Sequence, residues 1–166
     1  MNNTLILTVG LPRAGKDTWA KSTGLPIVNC DAIRKVLHGQ AFIKEAEPMV
    51  WTMAKYMVRS LFESGHEIVI LSNTNTIKRN RDEWLNPKEW TVKYKCIRTD
   101  VETCKQRAIA NKQEYLIAVI DKMNKQMEWP EVEMTDNEEY SLVRFQMLKG
   151  YNHIANDMLE RGDTIE

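Results

Sequence analysis

The sequence predicts an α/β fold, a parallel sheet sandwiched between helices with a phosphate-binding loop at the end of its first strand. Three observations predict it. Leu5-Ile-Leu-Thr-Val9 is a short apolar run rich in aliphatic and β-branched residues, the pattern of a strand buried on both faces. Gly10-x-x-x-x-Gly15-Lys16 follows at once and opens a helix, the spacing of a loop that cradles phosphates. Strand-like runs then alternate with helical periodicity, which implies βαβ units joined by right-handed crossovers. The 166 residues fit one such domain, 1–166.

Each element has its own signal. Trp19-Ala20-Lys21 continues the helix that the loop opens. Pro26 to Asn29 is a second, weaker strand, and a helix follows over Asp31 to Leu37. Glu45 to Ser64 places Met49, Met53, Tyr56, Met57, Val58 and Leu61 at helical spacing. Pro48 is tolerated only in the first turn, so that helix starts near Glu47, and Gly65 ends it. Its methionines read as core filler. Glu67 to Leu71 is the next buried strand, and Ile77 to Leu85 a short helix. Thr91 to Ile97 alternates as a strand with one wetter face. Val101 to Lys112 and Tyr115 to Met127 are two further helices. Pro130 to Asn137 reads as an acidic loop, Tyr140 to Phe145 as a final strand, and Met147 to Arg161 as a closing amphipathic helix.

The first loop carries the clearest chemistry. Gly10 lets the chain turn, Gly15 lets the backbone approach an anion, and the amides from Arg13 and Ala14 onward are placed to face it. Lys16 then reaches the β- and γ-phosphates of a nucleotide, which makes ATP the expected cofactor. The residue after such a lysine is usually Ser or Thr, whose hydroxyl binds Mg²⁺; here it is Asp17, followed by Thr18. A carboxylate ligates Mg²⁺ but adds negative charge beside the phosphates, so Asp17 and Thr18 are both candidate metal contacts.

In parallel sheets ligands collect at the carboxyl ends of the strands, and this rule selects the remaining candidates. Asn29-Cys30-Asp31-Ala32-Ile33-Arg34 follows the second strand. Asp31 and Arg34, three residues apart, share a helix face. The carboxylate is placed to take the proton of an attacking hydroxyl, and the arginine to hold it or grip a phosphate. Asp31 or Asn29 is equally suited to capping the helix, and position alone leaves both roles open. Ser72-Asn73-Thr74-Asn75 after the third strand suits hydrogen bonding to a substrate or to a metal-bound water, and it is also an ordinary polar turn. Arg79 and Arg81 come next, facing either an acceptor or solvent. Beyond the fourth strand Arg107 is a candidate lid cation for the transferring phosphoryl group, or a solvated helix residue.

Composition narrows the class only a little. Lys plus Arg and Asp plus Glu are equal at 23 each, so net charge argues neither for nor against a polyanionic partner. The charges are unevenly spread. Thr76 to Lys112 holds ten basic and five acidic residues, and Glu128 to Val143 six acidic and none basic. Cys30, Cys96 and Cys104 are odd in number and lack metal spacing, which points to reduced thiols in a cytoplasmic protein. No secretory leader and no membrane span is expected.

Taken together, Leu5-Ile-Leu-Thr-Val-Gly10 with Gly15-Lys-Asp-Thr-Trp-Ala20, Asn29-x-Asp31-x-x-Arg34 and Ser72-Asn-Thr-Asn75 resemble the 5′-kinase domain of phage polynucleotide kinase and the related zeta-toxin-like small P-loop kinases. Val119-Ile120-x-x-Met123-x-x-x-Met127 adds to the likeness, which covers roughly residues 4 to 130. The resemblance implies a P-loop NTPase of kinase-type topology with a small helical lid. It further implies Asp31 as general base, Arg34 on the acceptor nucleotide and Lys16 on the phosphoryl oxygens, while Asn73, Thr74, Asn75 and Arg79 are candidate substrate contacts by their place after the third strand. Its members phosphorylate a DNA 5′-hydroxyl or a hydroxymethyl group on a modified pyrimidine, so a DNA or polynucleotide partner in a phage-infected cell is expected. Three departures stand out: Asp17 in place of Ser, Asn73 in place of Asp, and Asn111-Lys112 where a second lid arginine is usual. The Gly-Lys-Asp-Thr variant also resembles phage deoxynucleoside monophosphate kinases, leaving a nucleoside or nucleotide kinase as the alternative. A nucleotide-binding regulatory or toxin-like module is the alternative of another class.

Overall fold

The computed structural model of the protein describes residues 3–40 and 42–161. Four strands, β1 (Thr4–Val9), β2 (Ile27–Asn29), β3 (Ile68–Ser72) and β4 (Thr91–Cys96), form one sheet in the order β2-β3-β1-β4. Every pairing is parallel: Leu5 lies opposite Val69 on one side and Val92 on the other, and Val28 opposite Leu71. β1 is therefore central, and the chain leaves it toward β2 and β3 on one side and β4 on the other. That is the switch point where an open sheet binds ligands.

Among the described residues there are seven α-helices, α1 (Lys16–Ser22), α2 (Cys30–His38), α3 (Glu47–Glu63), α4 (Lys78–Asp82), α5 (Val101–Ala110), α6 (Leu116–Lys125) and α7 (Asp136–Arg161), and a 3-10 turn, Lys44–Ala46. A strand turns alternate side chains to opposite faces, and β1 divides its residues accordingly. Leu5 and Leu7 join Val28, Val69 and Leu71 under Val50, Ala54, Val58 and Phe62 of α3, with Trp84 and Trp90 closing the layer. Ile6 joins Ile68 and Ile70 on the other face, against Ala20 of α1 and Leu142 and Val143 of α7. Each fully buried aliphatic side chain contributes about 1.5–3 kcal/mol, so these two layers hold the sheet. A third cluster, Leu11, Ala14, Cys104, Ala108 and Ile120, fastens the α5–α6 pair to the phosphate-binding loop.

One expected element is different. Tyr140 to Phe145 is not a strand but lies within α7, which starts at Asp136. Thr135 and Glu138 form a capping box: the Thr135 amide donates to Glu138 Oε2 at 3.0 Å, and the Glu138 amide to Thr135 Oγ1 at 3.2 Å. These bonds satisfy amides that a helix start leaves without partners, and Leu142 and Val143 then face the sheet as a helical pair. The acidic stretch before it runs along β4, where the Met134 amide donates to the Tyr94 carbonyl at 2.8 Å. Among the described residues no helix is long and apolar enough to cross a membrane.

Gly10 shows why the end of β1 tolerates no side chain. A Cβ there would sit 2.7 Å from the backbone oxygen of Ile97, just past β4. Gly10→Ala must push β4 away from β1 at the mouth of the site. The expected cost is about 1–3 kcal/mol of stability, with a larger proportional loss of nucleotide affinity. Chemical denaturation and nucleotide titration of the purified variant check both.

Candidate functional site

The loop after β1 is shaped by two left-handed residues, Arg13 at φ 64° and Gly15 at φ 106°. The Gly10 amide donates to the Thr74 carbonyl at 3.0 Å, and the Ala14 amide to the Leu11 carbonyl at 3.1 Å. The carbonyls of Arg13 and Ala14 turn toward α5: Arg107 Nη1 donates to them at 3.1 and 3.2 Å, and Thr99 Oγ1 to Ala14 at 2.7 Å. The first-turn amides of α1 have no intrahelical partner and sit at the positive end of the helix, a ready anion site. Lys16 is buried, and its Nζ donates to the Leu11 carbonyl at 2.6 Å. Burial lowers its pKa to about 8, against the opposing pull of Asp17 and Asp31.

Asp17 connects this loop to the other two strand ends on its side. Its Oδ1 accepts from Ser72 Oγ at 2.5 Å and from Asn29 Nδ2 at 3.0 Å. Asn29 Oδ1 accepts the Ala32 amide at 2.9 Å and so caps α2. The cap of that helix is therefore Asn29, which leaves Asp31 outside the capping role. The Asp31 side chain is 73% exposed, and its Oδ1 accepts Arg34 Nη1 at 2.7 Å. Arg34, only 9% exposed, is held from behind by Glu47, with Nε to Oε1 at 2.7 Å and Nη2 to Oε2 at 2.8 Å. Burial opposes the charges on both, yet the mutual hydrogen bonds raise the Arg34 pKa and lower that of Glu47.

The loop after β3 is tied to β1. Thr8 Oγ1 donates to the Asn73 carbonyl at 2.8 Å, and Asn75 Nδ2 to the Thr8 carbonyl at 2.9 Å. Asn73 Oδ1 accepts the Thr74 amide at 2.9 Å and so closes its own turn. Thr74 is half-buried beside it, whereas Asn75 is buried with φ 46°. Arg79 is exposed on α4 and makes no hydrogen bond among the described residues. Arg81, in contrast, is buried, with Nη1 on the Asn75 carbonyl at 2.8 Å and its guanidinium over Tyr94, so it braces the fold and offers nothing to a partner at the surface.

Gly10 to Thr18, Asn29, Asp31, Arg34 and Ser72 to Asn75 thus all belong to the carboxyl ends of β1, β2 and β3, with Arg107 over the phosphate loop. Sequence reasoning missed two members. Glu47 stands behind Arg34, and Gln113 accepts Arg13 Nε at 2.8 Å from the turn between α5 and α6. Glu47 carried one signal, an acidic residue opening a helix; Gln113 carried none.

Three solved structures share the architecture. The chain is similar to the Pnkp1/Rnl/Hen1 complex at 23% identity and TM-score 0.59, covering 64% of this chain and 39% of that one. It is similar to the Pnkp1/Rnl/Hen1 RNA repair complex at 15% and 0.55, covering 81% and 50%. It therefore spans half or less of the length of those chains. A gluconokinase from Sinorhizobium meliloti 1021 matches at 14% identity and TM-score 0.52, over 96% of this chain and 97% of that one. No curated protein matches the sequence. The family described as AAA domain matches residues 5–130, the stretch from β1 through α6. The chain accordingly belongs to that AAA domain family and has a P-loop kinase fold.

Proposed function

We propose that the protein is an ATP-dependent phosphotransferase whose acceptor is a hydroxyl on DNA or another polynucleotide, either a 5′ end or a hydroxymethyl group on a modified base. One observation carries the reading. A solvent-facing carboxylate, Asp31, is clamped by a buried arginine at the end of β2, with β3 between it and the phosphate loop of β1, and the two halves are linked through Asn29 and Asp17. The likeness to chains of an RNA repair complex supports a polynucleotide over a sugar.

The residues fit the donor. Gly10 lets the loop leave β1 against the Ile97 carbonyl, Gly15 takes the left-handed turn that opens α1, the α1 amides would face a triphosphate, and Lys16 supplies a buried cation. They also fit Mg²⁺ as kinases hold it, with one or two protein oxygens beside substrate phosphates: Asp17 keeps its second oxygen outside its two hydrogen bonds, and Thr18 is exposed next to it. The bound ion would neutralise charge on the phosphates. In the transfer, the acceptor oxygen forms a bond to the γ-phosphorus as its bond to the β–γ bridging oxygen breaks. Asp31 takes the hydroxyl proton and ADP leaves. Arg34 holds Asp31 with one donor and Glu47 with two, which leaves two of its five N–H groups for the acceptor. Arg107 needs only to leave two carbonyls to reach the phosphoryl group. Arg34 being so fully engaged by carboxylates also favours a second reading, a nucleoside acceptor with no phosphate to grip.

Transfer of labelled γ-phosphate from ATP to 5′-hydroxyl DNA, hydroxymethyl-base DNA and free nucleosides or their monophosphates separates these readings. Labelling of the polymers alone is the expected result. Asp31→Asn should lower kcat by about 10²–10⁴-fold with ATP affinity retained. A variant that lost only thermal stability would place Asp31 outside the chemistry.

A polymer track predicts salt-dependent DNA binding, and Arg79→Ala should reduce the log–log slope by about one while leaving ATP affinity unchanged. Equal slopes for the two proteins count against phosphate contact at Arg79.

Lys16 gives a pH dependence. In the free protein burial lowers its pKa to about 8, so above that pH binding of an anionic nucleotide must first restore its proton. Affinity then falls as pH rises, by up to about tenfold per pH unit above 8. Calorimetric titration with a non-hydrolysable ATP analogue should show that slope, and Lys16→Met should remove it.

A further inference from the structure

Glu47 opens α3, thirteen residues after Arg34. It sits where its charge is favourable, in the first turn of a 17-residue helix. Three donors converge on its carboxylate: Arg34 Nε at 2.7 Å, Arg34 Nη2 at 2.8 Å and Trp51 Nε1 at 3.3 Å. Trp51, one turn on, stacks against the fully buried Trp84 with ring centroids 5.8 Å apart. Glu47 is thereby anchored to the core behind the site. Its two oxygens take the Nε and Nη2 edge of the guanidinium, which fixes the plane of the group, and the remaining Nη1 edge is delivered to Asp31 at 2.7 Å. Asp31 by itself is on the surface, 73% exposed, with nothing rigid behind it except Arg34.

We infer that Glu47 is a positioning residue for phosphoryl transfer: through Arg34 it fixes where the Asp31 carboxylate stands relative to the acceptor hydroxyl. The inference rests on the proposed role of Asp31 as the base. A plain ion pair between α2 and α3 would affect stability alone, whereas a positioning residue affects the transfer step and leaves the nucleotide half unchanged. The separation is physical, because nothing in the Glu47 contacts reaches the phosphate loop except through Arg34 and α2.

The test compares Glu47→Gln, Glu47→Asp and Val50→Ala. The last removes buried bulk from the same helix without touching the site. In Glu47→Gln, kcat for the labelled acceptor should fall by about ten- to a hundredfold, with KM for ATP and acceptor-independent ATP hydrolysis within twofold of the parent. Glu47→Asp keeps the charge but is too short to hold both Arg34 donors, and should recover part of the loss. Val50→Ala should lower Tm with kcat unchanged at temperatures where it is folded. In the free protein, the Arg34 Nε–H resonance should be sharp and protected in the parent and broadened by exchange in Glu47→Gln. That measurement needs no acceptor and stands even if Glu47→Gln must be replaced by Glu47→Asp for folding. An unchanged kcat in a folded Glu47→Gln, or an Arg34 resonance as protected as in the parent, overturns the inference. If Asp31→Asn itself leaves transfer intact, the proposed function fails instead, and the two failures are told apart by that control.

Discussion

The site depends on the carboxylate of Asp17, which receives a hydroxyl from the end of β3 and an amide from the end of β2 while sitting in the first turn of α1. Charge-assisted hydrogen bonds of this kind contribute about 1.5–3 kcal/mol each, and a negative group in a first helical turn is favoured by the helix dipole. A serine in that place would put a neutral oxygen one atom closer to the backbone, and so would lack both the reach and the charge that hold the two strand ends. The aspartate therefore fixes the direction in which α1 leaves the loop, and with it the height of Lys16 above the sheet. Asn29 carries the constraint further. Its carbonyl oxygen caps α2 and its amide nitrogen holds Asp17, so one side chain sets the helix that carries Asp31 relative to the phosphate loop.

Two hydrophobic layers make that geometry stiff, and the third cluster makes it closable. The sheet is sealed on one face by α3 and on the other by α1 and the start of α7, so the strand ends have little freedom. The α5–α6 pair rests on Leu11 and Ala14 of the loop itself. Its polar contacts, Arg107 to two loop carbonyls and Gln113 to Arg13, are exposed or half-buried. The scaffold is thus more tightly packed around Asp31 and Arg34 than where α5 and α6 meet the phosphate loop.

Most of this architecture was legible in the chain, because β1 and β3 are continuous apolar runs and α3 has a clear helical period. Tyr140 to Phe145 misled because aromatic and β-branched residues favour strands locally, while Thr135-x-x-Glu138 just upstream was the helix-start signature that outweighed them. At the site, the loop and the Asp31–Arg34 pair follow from spacing, since their members are close in sequence. The bonds that give those residues their settings do not. Ser72 lies 55 residues from Asp17, and Gln113 lies 100 from Arg13. Pairings at such separations come from the order of strands in the sheet, which no local pattern encodes. Arg81 makes the same point in reverse: a basic residue in a basic stretch is buried, because the turn at Asn75 presents a carbonyl to it.

The resting position of Lys16 has a kinetic meaning. With its ammonium on the Leu11 carbonyl, the loop is already folded around the space a triphosphate takes, and its chain entropy was lost when the protein folded. An incoming nucleotide has the Lys16 bond to displace, with the two Arg107 bonds released in side-chain movements and no loop to fold. Encounter is then governed by diffusion and orientation and not by a slow rearrangement, so differences in affinity among nucleotides will reside in how long each stays.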